Sequence, residues 1–292
     1  MRLSFLGTGA ANGYPEAFCS CSNCTRARRL GGPSLRKRAA LLVEDDLLID
    51  LGPDITAASQ AHGSALTRVR WCLQTHAHAD HLDLSHLLSR SPAYGVVGAP
   101  RLGFYASPTA LRRAAETFAR DLGSADLLDP RTGDRLNLEV VPIEALQTVC
   151  LGPYRVTALP ANHDPRAGLL LFLVEGVGGS LFYGTDTAPL PDATWRALQE
   201  TGVQLDVVVL DHTYGPDAAG DDHLNARGVT EHTRRLREEG LLRPGGRVFA
   251  THIAHDANPP HPELVEFARG HGYDVAYDGL IVVVRSSVDR GR

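Results

Sequence analysis

The segment Thr75-His76-Ala77-His78-Ala79-Asp80-His81 constrains this chain more than any other stretch. It follows an apolar, strand-like run, Val69–Gln74, and leads into a helix-like one. In extended chain, residues two apart point to the same side, separated by about 6.6 Å at roughly 3.3 Å per residue. His76 and His78 can therefore grip one cation from a single face. Once the chain turns towards a helix, Asp80 and His81 point elsewhere and can reach a second cation. Imidazole with carboxylate suits Zn, Mn or Fe better than Mg or Ca.

The remaining sequence is compatible with a layered enzyme-sized fold. Its 292 residues allow two domains, but one large domain over 1–292 fits as well. A chain of this length buries a substantial core without disulfides, and 43% hydrophobic with 22% charged residues is ordinary for a soluble protein. No apolar run approaches the roughly 18 residues of a membrane span. The start, Met1-Arg2-Leu3-Ser4-Phe5-Leu6-Gly7-Thr8-Gly9, reaches glycine before a signal-peptide core forms, so a cytoplasmic location without membrane association is expected. A net charge of −5 weakens the case for a general nucleic-acid binder. The basic triplet Arg36-Lys37-Arg38 reads as a solvated turn, although Arg36 or Arg38 could meet a substrate phosphate.

Three of the five cysteines crowd into Cys19-Ser20-Cys21-Ser22-Asn23-Cys24. Cysteines this close are poorly placed to bridge one another, and such a cluster in a cytosolic protein more often binds metal. Cys72 and Cys150 lie in apolar stretches and read as small core residues.

Short β-rich runs alternate with helical patterns. Strands are expected over Arg2–Leu6, Ala39–Val43, Leu47–Asp50, Val69–Gln74, Tyr94–Gly98 and Leu138–Pro142. Others are expected over Tyr154–Leu159, Leu169–Glu175, Ser180–Tyr183, Val207–Asp211, Arg247–Thr251 and Leu280–Val284. Helices are expected over Pro53–His62, Pro108–Leu122, Pro191–Gly202, Asn225–Gly240 and Pro262–His271, several opening on proline. Strand-rich halves each followed by helices suggest two sheets packed together with helices outside. Ser107–Arg135 reads as a helix ending in the loop Asp129–Asp134, either a cap over a site or part of the outer layer.

The spacing H-x-H-x-D-H after a strand resembles the metallo-β-lactamase superfamily. That resemblance implies the αββα sandwich, an α/β fold of two mixed β-sheets packed face to face with helices on both outer faces. It also implies a two-metal site completed at later strand ends. His163, in Leu159-Pro160-Ala161-Asn162-His163, would join His76 and His78 on the first metal. Asp186, in Tyr183-Gly184-Thr185-Asp186, would bridge both metals, and His252, in Ala250-Thr251-His252, would join Asp80 and His81 on the second. A narrower resemblance, carried by Phe5-Leu6-Gly7-Thr8-Gly9, the three cysteines, Thr251-His252-Ile253-Ala254-His255 and Tyr277-Asp278-Gly279-Leu280, is to PhnP-type cyclic phosphodiesterases. It implies a structural zinc on Cys19, Cys21, Cys24 and His255, a closed Cys₃His set within an N-terminal loop of about residues 15–30.

The activity implied is dinuclear hydrolysis with Zn or Mn. Two cations about 3.5–4 Å apart hold a bridging hydroxide and clamp a phosphodiester. The expected substrate is a small cyclic phosphate, ribosyl 1,2-cyclic or nucleoside 2′,3′-cyclic, and a homodimer is compatible with the chain. Asp80 and Asp186 would serve catalysis through the metals. His223, in Asp221-Asp222-His223-Leu224-Asn225, is the candidate general acid and His212 its rival; Asp221 occupies the position where the PhnP pattern itself has histidine. Asp50 and Asp211 would orient ligand imidazoles, and Gly7-Thr8-Gly9 could approach a metal or phosphate. The competing readings are a lactonase or thioesterase, a tRNA 3′-processing nuclease, for which no basic arm is evident, and a PqqB-like accessory protein sharing the cysteine cluster.

Overall fold

Two seven-stranded sheets dominate the computed structural model, which describes residues 1–122, 126–216, 218 and 220–284. The first runs, edge to edge, β14 (Ile281–Val283), β1 (Arg2–Gly7), β2 (Ala40–Val43), β3 (Leu47–Ile49), β4 (Trp71–Leu73), β5 (Leu102–Ala106) and β6 (Leu138–Pro142). The second runs β13 (Asp274–Val275), β12 (Leu242–Thr251), β11 (Leu205–Asp211), β10 (Gly179–Gly184), β9 (Leu170–Gly176), β8 (Tyr154–Pro160) and β7 (Thr148–Leu151). Both are mixed: β3 to β6 are parallel in the first sheet and β10 to β13 in the second, while the remaining pairs are antiparallel.

The period of two along each strand builds the layers. Leu3, Phe5, Leu41, Val43, Phe172, Val207 and Val209 meet between the sheets. Their neighbours Val208 and Leu210 face outward, packing with Trp195 and Leu198 of α6 (Asp192–Thr201), Val229 and Leu236 of α7 (Ala226–Glu238), and Leu264 of α8 (His261–Gly270). On the opposite side Leu42 and Leu48 pack with Ile55 and Ala58 of α2 (Ile55–His62), Leu87 of α3 (Ser85–Ser89), and Ala110, Leu111, Ala114 and Phe118 of α4 (Pro108–Leu122). The result is the αββα sandwich. With that apolar stripe inward, α4 is a helix of the outer layer; residues 123–125 of the 107–135 segment lie outside the described residues.

Several local expectations are corrected. Tyr94–Gly98 is not a strand: Gly95 and Gly98, at φ 80° and 77°, turn the chain after a short 3₁₀ turn, Pro92–Tyr94. The strand of this region is β5. The Asp129–Asp134 loop is instead the start of α5 (Pro130–Leu136), with proline in its first turn and Asp129 capping it by accepting from the Arg131 N–H. Cys150 is exposed because β7 is an edge strand. The cysteine loop contains α1 (Ser22–Leu30), capped by the Cys21 thiol.

Arg36 is buried rather than solvated. It donates to Thr8 Oγ1 at 2.8 Å and to the Ala276 carbonyl at 2.6 Å, and lies 2.9 Å from His261 Nδ1. Arg38 is only partly exposed and pairs with Asp54 at 3.0 Å; the buried Arg36 is not free for substrate. Gly7 is required by packing, since a Cβ there would lie 1.8 Å from the Arg38 carbonyl oxygen.

Candidate metal centre

β3, β4, β8, β10, β11 and β12 all run in one sense within their sheets, so their C-terminal ends gather along common edges. Open α/β sheets place ligands at such ends. Asp50 follows β3, residues 74–81 follow β4, His163 follows β8, Asp186 follows β10, Asp211 closes β11, and His252 follows β12. Asp50, Asp186 and His252 have φ of 68°, 54° and 57°, a left-handed conformation that non-glycine residues seldom adopt. It turns the chain sharply as each strand ends. Strain of this kind costs about 1–3 kcal/mol per residue and collects at functional sites.

The structure brings the expected donors into two adjoining sets. His76, His78 and His163 form one; Asp80, His81, Asp186 and His252 form the other. Within each set the donor atoms lie within 4.8 Å of one another. The His76 and His81 ring centroids are 4.4 Å apart, which puts the sets side by side. In the second set His81 Nε2 is 2.9 Å from Asp186 Oδ2, 3.1 Å from Asp80 Oδ2 and 3.3 Å from His252 Nε2.

Hydrogen bonds to the outer nitrogens fix which nitrogen is left as a donor. His81 Nδ1 gives its proton to Asp50 Oδ2 at 2.8 Å, and His163 Nδ1 gives its own to the Asp222 carbonyl at 2.9 Å. The Thr75 hydroxyl donates to Asp50 and so accepts from His76 Nδ1 at 2.9 Å; Thr213 likewise donates to Asp211 and accepts from His252 Nδ1 at 2.8 Å. Each of these four imidazoles therefore turns its Nε2 towards the centre. For His76 and His163 that nitrogen is buried without a hydrogen-bond partner among the described residues. A buried lone pair of this kind is costly unless something electrophilic meets it. His78 differs, with its Nε2 3.8 Å from Asp164, leaving Nδ1 as its available donor.

The electrostatics also call for cations. Burial keeps His76 well below the ordinary imidazole value, reinforced by His81. Burial opposes ionisation of Asp186, yet His252 and His81 outweigh it and hold the carboxyl well below its usual range. Burial likewise disfavours a charged His81, but Asp186, Asp80 and Asp50 draw a proton onto it. Positive charge between those carboxylates is what the cluster demands. Both sets therefore fit divalent ions.

His223 lies beside them. Its Nδ1 is 2.7 Å from Asp211 Oδ2, and its ring stacks on His252 at 5.4 Å and tilts against His163 at 4.7 Å. Burial lowers its basicity, but Asp211 outweighs burial and raises His223 to about 9. His212, the rival acid, points away: its nitrogens engage Asn258 at 3.0 Å and Tyr273 at 2.9 Å inside the core. The third cluster, Cys19, Cys21, Cys24 and His255, also has its donor atoms within 4.8 Å. The Cys24 backbone N–H lowers Cys21 to about 6, whereas burial raises Cys24 to about 12.

Three residues of this centre went unnoticed in the sequence. Gln74 accepts from the Leu51 N–H and donates to Asp50 Oδ1 and to the carbonyls of His76 and His81. Thr213 joins Asp211, His223 and His252, and Asn258 holds the Thr213 carbonyl. The only signal was a polar side chain ending an apolar strand, as at Gln74.

An αββα sandwich with histidine–aspartate sets along its strand ends defines a metallo-hydrolase class. The chain belongs to the beta-lactamase superfamily domain family, whose model matches residues 46–253. It is 28% identical to coenzyme PQQ synthesis protein B of Cupriavidus necator, covering 97% of this chain and 99% of that one. Among solved structures it is similar to Zn(2+)-bound PqqB of Methylobacterium extorquens, with TM-score 0.73 and 21% identity over 97% of this chain and 99% of that chain. A diphosphatase of the PhnP family matches with TM-score 0.72 and 22% identity over 97% of each chain. No helix among the described residues is long and apolar enough to cross a membrane.

Proposed function

We propose that the protein is a dinuclear-metal phosphodiesterase that opens a small cyclic phosphate. The observation that carries this reading is the pair of adjoining donor sets with a protonated imidazole beside them. His76, His78 and His163 would hold one ion and Asp80, His81 and His252 the other, with Asp186 at their junction; Cys19, Cys21, Cys24 and His255 would hold a structural zinc. Zn or Mn in the first two places supplies Lewis-acid polarisation of a phosphoryl group and an acidified water.

The chain's own groups supply the rest. Asp50 and Asp211 lock imidazole orientation. His223 gives Nδ1–H to Asp211 and keeps its second proton on Nε2, available to a departing alkoxide. The test is metal analysis together with turnover of bis(p-nitrophenyl) phosphate and cyclic phosphates. More than two metal equivalents are expected. Asp186→Asn, which keeps shape and tolerates the left-handed backbone, should lose more than the roughly 10–100-fold that loss of an outer partner costs. Metal-loaded protein that leaves phosphodiesters intact while opening lactones would remove the reading.

Likeness to coenzyme PQQ synthesis protein B over nearly the whole chain supports a second reading, a step in the synthesis of that coenzyme. The complete donor sets favour a catalytic step over an accessory role.

A further inference from the structure

A cavity of about 200 Å³ adjoins the second donor set. His223 and His252 line it from the metal centre, with Thr213, Tyr214, the turn 10–13 and residues 254–256 completing it. His252 and Gly13 are buried at its floor, whereas Asn12 and Asp256 are exposed at its mouth. His223, the side chain that the reading above sets beside the departing oxygen, lines this cavity, which makes it the leaving-group side of the site.

Two properties of the cavity restrict what it accepts. Its volume is below the roughly 300–1,000 Å³ of pockets for drug-sized ligands, room for about one small ring. Its lining also contains no lysine or arginine. His223 Nδ1 is engaged by Asp211 at 2.7 Å, and His255 belongs to the cysteine set. Asp256 adds negative charge at the mouth, and Tyr214 donates its hydroxyl to the exposed Asp222. A second phosphate would lose hydration here and meet like charge. Asn12 and Asp256 make no hydrogen bond among the described residues, so both are available to substrate hydroxyls.

We infer that this cavity selects a compact, uncharged, hydroxyl-bearing leaving group and discriminates against one carrying a second phosphate. The inference rests on the hydrolase reading above and names the substrate class of that same site. The experiment is equilibrium binding, to metal-loaded protein, of methylene-phosphonate analogues of a ribosyl 1,2-cyclic phosphate and of its 5-phosphorylated form. Hydrolysis of the parent compounds is followed in parallel. The unphosphorylated analogue should bind at least about tenfold tighter, the size of one unmatched contact, and Asn12→Arg should bring the two within about threefold. Equal or reversed affinities, no binding of either, or an unchanged ratio in Asn12→Arg would overturn the inference. Discrimination in binding with neither parent opened would instead leave the cavity assignment standing and sink the phosphodiesterase reading.

Discussion

His223 shows how one side chain takes a role from its partners. With Asp211 on Nδ1 it holds its charge at neutral pH, so its Nε2 proton is matched to a poor leaving group. His223→Ala should therefore slow an alkyl phosphodiester by about 100-fold or more, within the usual range for general acids. A p-nitrophenyl ester, whose phenolate departs unaided, should lose less than about tenfold. Equal losses on both, measured as kcat, would mean that His223 only positions its neighbours. His212 carries the same imidazole in the same region of sequence, yet Asn258 and Tyr273 hold it in the core. In the sequence only a resemblance, histidine directly before a leucine, favoured His223, because the physical difference lies in contacts from residues some 50 positions away.

At the scale of elements, the strand-end segments carry the site, and their close packing sets its shape. A Cβ on Gly52 would lie 2.5 Å from the Asp80 carbonyl oxygen, between the turn after β3 and the ligand segment after β4. Gly52→Ala should displace Asp80, cost about 1–3 kcal/mol by overpacking and weaken metal binding, read by urea unfolding and metal titration. Cys21→Ser leaves a capping side chain at the start of α1 but removes one thiol of the cysteine cluster. It should lower Tm by roughly 5 °C or more, with loss of one zinc equivalent; an unchanged Tm would argue against a structural metal.

Strands that are short continuous apolar runs, such as β9 and β11, were legible from length and β-rich composition, as were helices opening on proline. β5 was not. Gly103 interrupts its pattern, and the apolar residues before Gly98 offered a better local match that two left-handed glycines then break. The metal donors were legible because they follow readable strands; Gln74 and Thr213 act through contacts that only the assembled fold creates.

For the whole molecule, buried histidines set the response to acid. Burial lowers His212 to about 4, and burial with the Arg36 guanidinium lowers His261 to about 4. An unfolded histidine titrates near 6.5, so between pH 6.5 and 4 the unfolded chain binds protons that the folded chain refuses. Their stabilising contribution is complete above pH 6.5 and is lost as pH falls through that window. Asp278, raised to about 6 by burial, and Asp50, also raised by burial, oppose them there, whereas His76, His78 and His232, all lowered by burial, add to them. The urea midpoint of chelator-treated protein should fall between pH 7 and 4.5, and His261→Gln should flatten that fall. A level profile would contradict the assignment.

The left-handed backbone at Asp50, Asp186 and His252 has a practical corollary for anyone dissecting the cleft. Alanine truncation at these corners confounds two injuries, the missing side chain and a residue ill suited to the bend. Glycine removes the functional group while easing the curve, so a glycine scan, rather than an alanine one, separates chemistry from architecture here.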